Sequence, residues 1–205
     1  MTAIRTTVIV LAVLVATGLT AQTPATPIAA PEGSGLPVKV TDIEGVEGRL
    51  YLDGRVYIAG QPSQAALAKL KERGVTAVVN LRAPGEMADP KLVPFEEAAA
   101  VSTLGMEYVH VPLNGRDFPY TTDAVDRFAA VLERHRGSVL LHCASGGRVS
   151  YLWSAYLIRH RGFALEAAVA RGEAIGIPPN PLEGLTGRRV KLVWKDAAAA
   201  EPGRE

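Results

Sequence analysis

The chain has 205 residues, with 22 Lys+Arg against 21 Asp+Glu, 48% hydrophobic residues and one cysteine. That length accommodates one ordinary domain with tails, and the near-zero net charge excludes the basic excess of a nucleic-acid binder. A lone cysteine excludes an internal disulfide and any zinc site built on cysteine pairs.

Met1 to Arg5 form a short positive start, followed by the apolar block Val8 to Ala16 and the small residues near Ala21. A charged start, a short apolar core and small residues at its end are the pattern of an export signal. Residues 1–21 are therefore expected to be a signal peptide cleaved after Ala21, giving a periplasmic or secreted protein with no membrane attachment; an uncleaved anchor is the alternative. Residues 22–46, rich in Pro, Ala, Thr and Gly without apolar periodicity, read as a linker. Residues 47–195 then form the folded domain, and residues 196–205 a frayed tail.

Within the domain, strand-like and helix-like stretches alternate. Arg55 to Ala59 reads as a strand, and Ser63 caps a helix through Leu67 and Leu70 that stops at Gly74. Val75 to Leu81 is β-branched and reads as a buried strand. Pro94 is expected to open a second helix, with Glu96 and Glu97 favourable against its dipole. Met106 to Leu113 reads as a third strand. The next helix is capped by Thr121 or Thr122 and has Val125, Phe128, Ala129 and Leu132 on one face. Val139 to His142 is a fourth strand, apolar without alternation, as when helices cover both faces of a sheet. A helix follows at once, apolar all round and so expected to be central, and another spans about Ala164 to Ala174. The role of Leu185 to Trp194 is left open. The alternation predicts an α/β domain with a mostly parallel central sheet flanked by helices.

The chemistry concentrates in the turn His142-Cys143-Ala144-Ser145-Gly146-Gly147-Arg148 between the fourth strand and the central helix. A glycine-rich turn into a helix aims backbone N–H groups at one point, where the helix dipole adds positive charge. Ala144, Ser145, Gly146 and Gly147 thus offer a cradle for an anion, with Arg148 able to clasp an oxyanion by two parallel hydrogen bonds. A helix N-terminus and a neighbouring cation both favour a thiolate, so Cys143 is the candidate nucleophile rather than a buried small hydrophobe. His142 either orients that thiolate or is a core histidine. Ser145 is not a hydrolase nucleophile, because Cys143 occupies the first glycine position of G-x-S-x-G.

His142-Cys143-x-x-Gly146-x-Arg148 resembles the catalytic loop of the cysteine-dependent protein tyrosine and dual-specificity phosphatases. Together with Ala59-Gly60-Gln61-Pro62-Ser63, Val79-Asn80-Leu81-Arg82 and Tyr108-Val109-His110-Val111-Pro112, it resembles the beta-lactamase-hydrolase-like phosphatase domain family over about residues 47–178. The resemblance implies a dual-specificity-phosphatase-like fold and hydrolysis of a phosphate ester through a phosphocysteine. The substrate would be a phosphorylated small molecule or a phosphoprotein, with no cofactor. One departure stands out. Four residues separate Cys143 from Arg148 where typical phosphatases of this type have five, and four is the length in rhodanese-type sulfurtransferases. Ser150 matches the count of the leaving-group hydroxyl but no longer follows the Arg directly.

The resembling phosphatases use an upstream loop Asp as general acid, and Asp117 in Asn114 to Pro119 is the candidate here, with Asp123 and Asp126 behind it. Loops at the carboxyl ends of parallel strands build such sites, so the loops carrying Arg82, Asp117 and Cys143 are expected to converge. Arg82 and Glu86 read as a surface ion pair, with support of the catalytic loop the alternative. His110, His135, His142 and His160 show no metal-ligand spacing. Three functions are compatible with these residues: a phosphatase-like hydrolase, a sulfurtransferase carrying a Cys143 persulfide, and a non-catalytic anion-binding module.

Overall fold

The computed structural model describes residues 35–176 and 182–189. The expected signal peptide, most of the expected linker, and the expected tail lie outside the described residues, as does Trp194. Among the described residues no helix is long and apolar enough to cross a membrane.

Six strands form one sheet: β1 (Val38–Lys39), β2 (Leu50–Asp53), β3 (Val56–Ala59), β4 (Val75–Asn80), β5 (Glu107–His110) and β6 (Ser138–His142). Their order is β1-β2-β3-β6-β4-β5. β1, β2 and β3 are antiparallel neighbours, while β3, β6, β4 and β5 run parallel. The helices are α1 (Gln64–Glu72), α2 (Pro84–Met87), α3 (Glu97–Thr103), α4 (Thr122–Arg134), α5 (Gly147–Arg161), α6 (Leu165–Ala174) and α7 (Leu182–Thr186). The predicted α/β class with a mostly parallel sheet between helices is the observed one.

Strand alternation sorts the core into two layers. Val139 and Leu141 of β6 join Val56, Ile58, Ala77 and Val79 under α4, α5, α6 and α7. Leu140 faces the other way, with Tyr57, Ala59, Val75 and Val78 under α1 and α3. Every residue of β3 is buried, which is why its sequence shows no polar alternation. The predicted central helix is α5: Leu152, Ala155 and Leu157 are fully buried, and Trp153 and Tyr156 stack at 5.4 Å against Phe128 of α4. Truncating such a side chain to Ala removes about 2–5 kcal/mol of stability.

Several expectations need correction. Part of the stretch read as linker is built into the fold: Val38–Lys39 pairs with β2, and Ile43 is buried. Strand pairing with a partner a dozen residues away gives these residues a place that composition does not show. The helix expected at Pro94 begins at Glu97, because Glu96 is still extended at φ −76 and ψ 91. The short helix α2 was not foreseen; Pro84 sits in its first turn and the Glu86 carboxylate accepts from the Ala83 amide at 2.8 Å. Ser63 caps α1 as expected, accepting from the Ala66 amide at 3.2 Å.

Candidate active site

Parallel strands end at one edge, so the loops after β4, β5 and β6 meet there. Glu86, Asn114, Tyr120, Cys143, Ser145, Gly147, Arg148 and Tyr151 line a cavity of about 360 Å³ at that edge. The expected convergence of the three loops is observed, although the residue from the first loop that reaches the cavity is Glu86 rather than Arg82.

The loop 143–147 is shaped by its glycines and by outward-facing carbonyls. Gly146 takes φ 98, a conformation that L side chains rarely adopt, and its amide donates to Cys143 Sγ at 3.2 Å. The Ala144 carbonyl accepts from the Gln61 amide at 3.0 Å, and the Ser145 carbonyl from Arg49 Nη1 at 2.9 Å. Gly60 allows the close approach behind the loop: a Cβ there would lie 1.8 Å from the Glu47 carbonyl oxygen and 3.0 Å from that of Ala144. Cys143 itself is 1% exposed, its sulfur set at the base of the cavity beneath the first turn of α5.

Arg148 is held by four contacts. Its Nη1 donates to Glu86 Oε2 at 2.6 Å, to the Leu113 carbonyl at 3.0 Å and to the Leu81 carbonyl at 3.4 Å, and its Nη2 donates to Glu86 Oε1 at 2.8 Å. Burial works against the charge on Arg148, but Glu86 and the Cys143 sulfur outweigh it and raise its pKa above the usual guanidinium value. The hydrogen bonds from Arg148 in turn hold the Glu86 carboxyl below its usual range, against the opposing effect of burial, with the Ala83 amide and Arg82 charge helping.

Arg82 is not part of a surface ion pair. It is 3% exposed, donates through Nη1 to Gln61 Oε1 at 2.9 Å, and holds Nε 3.5 Å from Glu86 Oε1. Glu86 thus stands between two guanidiniums, one buried beneath the cavity and one within it.

His142 turns away from the sulfur. Successive strand residues face opposite sides, so Cys143 joins the layer under α5 while His142 points toward α3. There His142 Nε2 lies 2.9 Å from Glu97 Oε1, with both side chains fully buried, and His142 Nδ1 has no partner among the described residues. Glu97 also accepts from Gln61 Nε2 and from Asn80 Nδ2, and Asn80 reaches the Tyr108 hydroxyl at 2.8 Å. Burial pushes the Glu97 carboxyl up, but the His142 charge and these donors outweigh it and leave it lowered. Tyr108 is pushed up to about 12 by burial and by the Glu97 charge. This network ties the ends of β3, β4, β5 and β6 together directly behind the catalytic loop.

Asp117 is exposed on the loop after β5, with Oδ2 3.4 Å from Asn114 Nδ2, and is not among the residues lining the cavity. The residues of that loop which do line it are Asn114 and Tyr120. Ser150 is fully buried, donates to the Gly172 carbonyl of α6 at 3.4 Å, and is not among the residues lining the cavity. Asp126 pairs with Arg159 and His160, and Asp123 lies exposed in the first turn of α4; neither lines the cavity. His110 Nε2 donates to the Arg82 carbonyl at 2.6 Å, and His135 bridges Thr76 and Glu107. Among the described residues no group of His, Cys, Asp or Glu could hold a metal ion.

A family model described as the phosphatase-like domain of beta-lactamase hydrolase-like protein matches residues 51–158. The chain belongs to that family. This phosphatase-like domain is 32% identical over 103 residues to the beta-lactamase hydrolase-like protein of Xylella fastidiosa (strain 9a5c). It is 30% identical over 123 residues to that of Agrobacterium fabrum (strain C58). The aligned residues are 50% and 60% of this chain but 23% and 26% of the relatives, so the domain spans about a quarter of their length. Among solved structures, Tk-PTP in its active form has a TM-score of 0.55 at 24% identity, over 67% of this chain and 95% of that one. P. aeruginosa TpbA, in complex with pTyr, gives 0.51 at 20% identity, over 68% and 79%. PTPMT1 in complex with PI(5)P gives 0.52 at 19% identity, over 64% and 88%. The phosphatase-like domain therefore has the fold of protein tyrosine and dual-specificity phosphatases.

Proposed function

We propose that the phosphatase-like domain hydrolyses phosphate monoesters through a phosphocysteine on Cys143. The observation that carries this reading is the one cavity lined by Cys143, Ser145, Gly147 and Arg148, with the Gly146 amide donating to the Cys143 sulfur. The sulfur, as thiolate, attacks phosphorus and the P–O bond to the leaving group breaks; the leaving oxygen takes a proton from the loop after β5. Water then attacks phosphorus and gives a proton back to the donor on that loop, the S–P bond breaks, phosphate leaves, and the thiolate is restored. Backbone amides and Arg148 hold the equatorial oxygens, where charge develops. Neither half-reaction calls for a cofactor. The substrate class is a phosphorylated small molecule or a phosphoprotein. The charged start and apolar block of residues 1–21 support export of the domain.

A second reading, sulfur transfer through a Cys143 persulfide, is favoured by one feature, the four-residue spacer between Cys143 and Arg148. A paired assay under reducing conditions separates them, with aryl phosphate in one arm and thiosulfate plus cyanide in the other. Phosphate release, a phosphate-sized mass gain trapped on Cys143 and loss of both in Cys143→Ser are expected. Thiocyanate release with one added sulfur would overturn the phosphatase reading, and activity in neither arm above the Cys143→Ser background would leave an anion-binding module.

A further inference from the structure

We propose that Arg82 is a positioning residue of the anion site: acting through Glu86, it leaves the cavity with one positive charge in excess, which a bound oxyanion completes. The assignment rests on the reading of that cavity as an anion site and names the source of its charge.

Arg82 is firmly placed but underpaired. Its amide donates to Asn80 Oδ1 at 2.7 Å, and its carbonyl accepts from His110 Nε2 at 2.6 Å. The guanidinium, buried with the rest of the residue, makes its short bond to a neutral amide, from Nη1 to Gln61 Oε1 at 2.9 Å. Its Nε is buried and has no hydrogen-bond partner among the described residues. Among those residues the carboxylate within ion-pair reach of Arg82 is Glu86, with Oε1 3.5 Å from Nε. Glu86 is already committed, because its two oxygens meet Arg148 fork to fork. Glu97 lies beyond the Gln61 amide, but it has His142 Nε2 as its own partner at 2.9 Å.

Two guanidiniums therefore share one carboxylate at the cavity that Glu86 and Arg148 line with Cys143. Arg148 and Glu86 alone would form a neutral pair with no net charge to offer a guest. Arg82 leaves one positive charge over. Holding a charge in the interior without a full partner is costly, and an anion brought nearby relieves that cost. Low-dielectric surroundings let the charge act beyond its own contacts. Gln61 also keeps this charge in register with the loop: its side chain holds Arg82, while its amide donates to the Ala144 carbonyl at 3.0 Å.

Cys143 is the one cysteine of the chain, so its alkylation by iodoacetamide reports on this cavity alone, and inorganic phosphate bound there protects it without any turnover. The test measures the phosphate concentration that gives half protection, at fixed pH and ionic strength, in wild type, Arg82→Gln and Arg82→Lys, with circular dichroism confirming the fold. Arg82→Gln should need about tenfold more phosphate or above, and Arg82→Lys, which keeps the charge without the planar fork, under about threefold more. Equal protection in wild type and Arg82→Gln would overturn the assignment. An equal loss in both variants would also overturn it, making Arg82 a strut for Gln61 and not a source of charge. Should Arg82→Gln alone not fold, Glu86→Gln is compared with the double variant Glu86→Gln/Arg82→Gln, in which no carboxylate is left unpaired beneath the cavity. The double variant should bind phosphate about tenfold more weakly than Glu86→Gln, and no difference between them would overturn the assignment. Phosphate that fails to protect wild type overturns the anion-site reading itself and this assignment with it, an outcome distinct from the others.

Discussion

Arg148 and Glu86 lie 62 positions apart in the chain and meet fork to fork, with Nη1 to Oε2 at 2.6 Å and Nη2 to Oε1 at 2.8 Å. Two parallel, charge-assisted bonds fix the plane of the guanidinium as well as its distance. Glu86 thereby sets how Arg148 is presented to the cavity it lines with Cys143. Glu86→Gln removes the charge but keeps the shape. Hydrogen bonds to charged groups contribute about 1.5–3 kcal/mol, so kcat/KM should fall roughly 10–100-fold, with KM rising. Steady-state kinetics on an aryl phosphate check this; unchanged KM and kcat would remove Glu86 from the positioning of Arg148.

The lowered Glu86 carboxyl also makes a stability prediction. A carboxyl depressed in the folded state stabilises fully above its unfolded value of about 4.3, and that contribution is lost as pH falls through the folded value. Chemical denaturation between pH 6 and 3, on a scale set by the usual carboxylate range, should show a shallower acid-side decline in Glu86→Gln than in wild type.

Glu107 should behave in the same sense and more visibly. Hydrogen bonds from Arg134 lead in bringing its carboxyl down to about 2, with His135 adding to them and burial opposing. Its contribution is present above about pH 4.3 and disappears as pH falls toward 2. Glu107→Gln should remove that part of the acid transition. Because Glu107 and Arg134 are both partly exposed, the difference should shrink as salt is added. Thermal melts at low and high ionic strength measure it.

Glu97 serves the fold from the other face of the sheet. Glu97→Ala leaves His142 Nε2 without its buried partner and takes one acceptor each from Gln61 and Asn80. Breaking a buried pair by removing one partner costs about 3–5 kcal/mol, a drop in Tm of roughly 6–20 °C for a domain of this size. Glu97→Gln, which keeps an acceptor oxygen, should recover part of the loss; calorimetry on both variants decides.

Gly60→Ala tests how close the backbone runs behind the catalytic loop. The added Cβ would fall 1.8 Å from the Glu47 carbonyl oxygen, a backbone atom that cannot swing aside. A loss of about 3 kcal/mol or more is expected, read as a lowered Tm or failure to accumulate folded protein. A melt within a degree or two of wild type, on the usual scale of Tm shifts, would show that residues 47–48 yield freely.

The parts of the fold that could be read in advance are those with strong local signals. The apolar face of α4, the buried run of β6 and the glycine stop after α1 are written within single windows of sequence. β1 and α2 have no such signal: one is two residues long and exists by pairing with β2, the other is a single turn begun by Pro84. Cys143 and Arg148 were legible because they flank one turn. Glu86 was not, since nothing local says that a residue read as a surface partner of Arg82 also meets Arg148. The turning away of His142 was legible in principle, because Leu141 and Cys143 must share a face that His142 cannot.

The carbonyls of Ala144 and Ser145 are tied down from outside, by the Gln61 amide and the Arg49 side chain. A peptide plane whose oxygen is anchored outward has its hydrogen pointing the opposite way, whether or not anything is there to receive it. The receptacle is therefore finished when the chain finishes folding. A guest ion entering it should find the loop already in shape, and its arrival should be limited by encounter with the mouth, not by rearrangement of the floor.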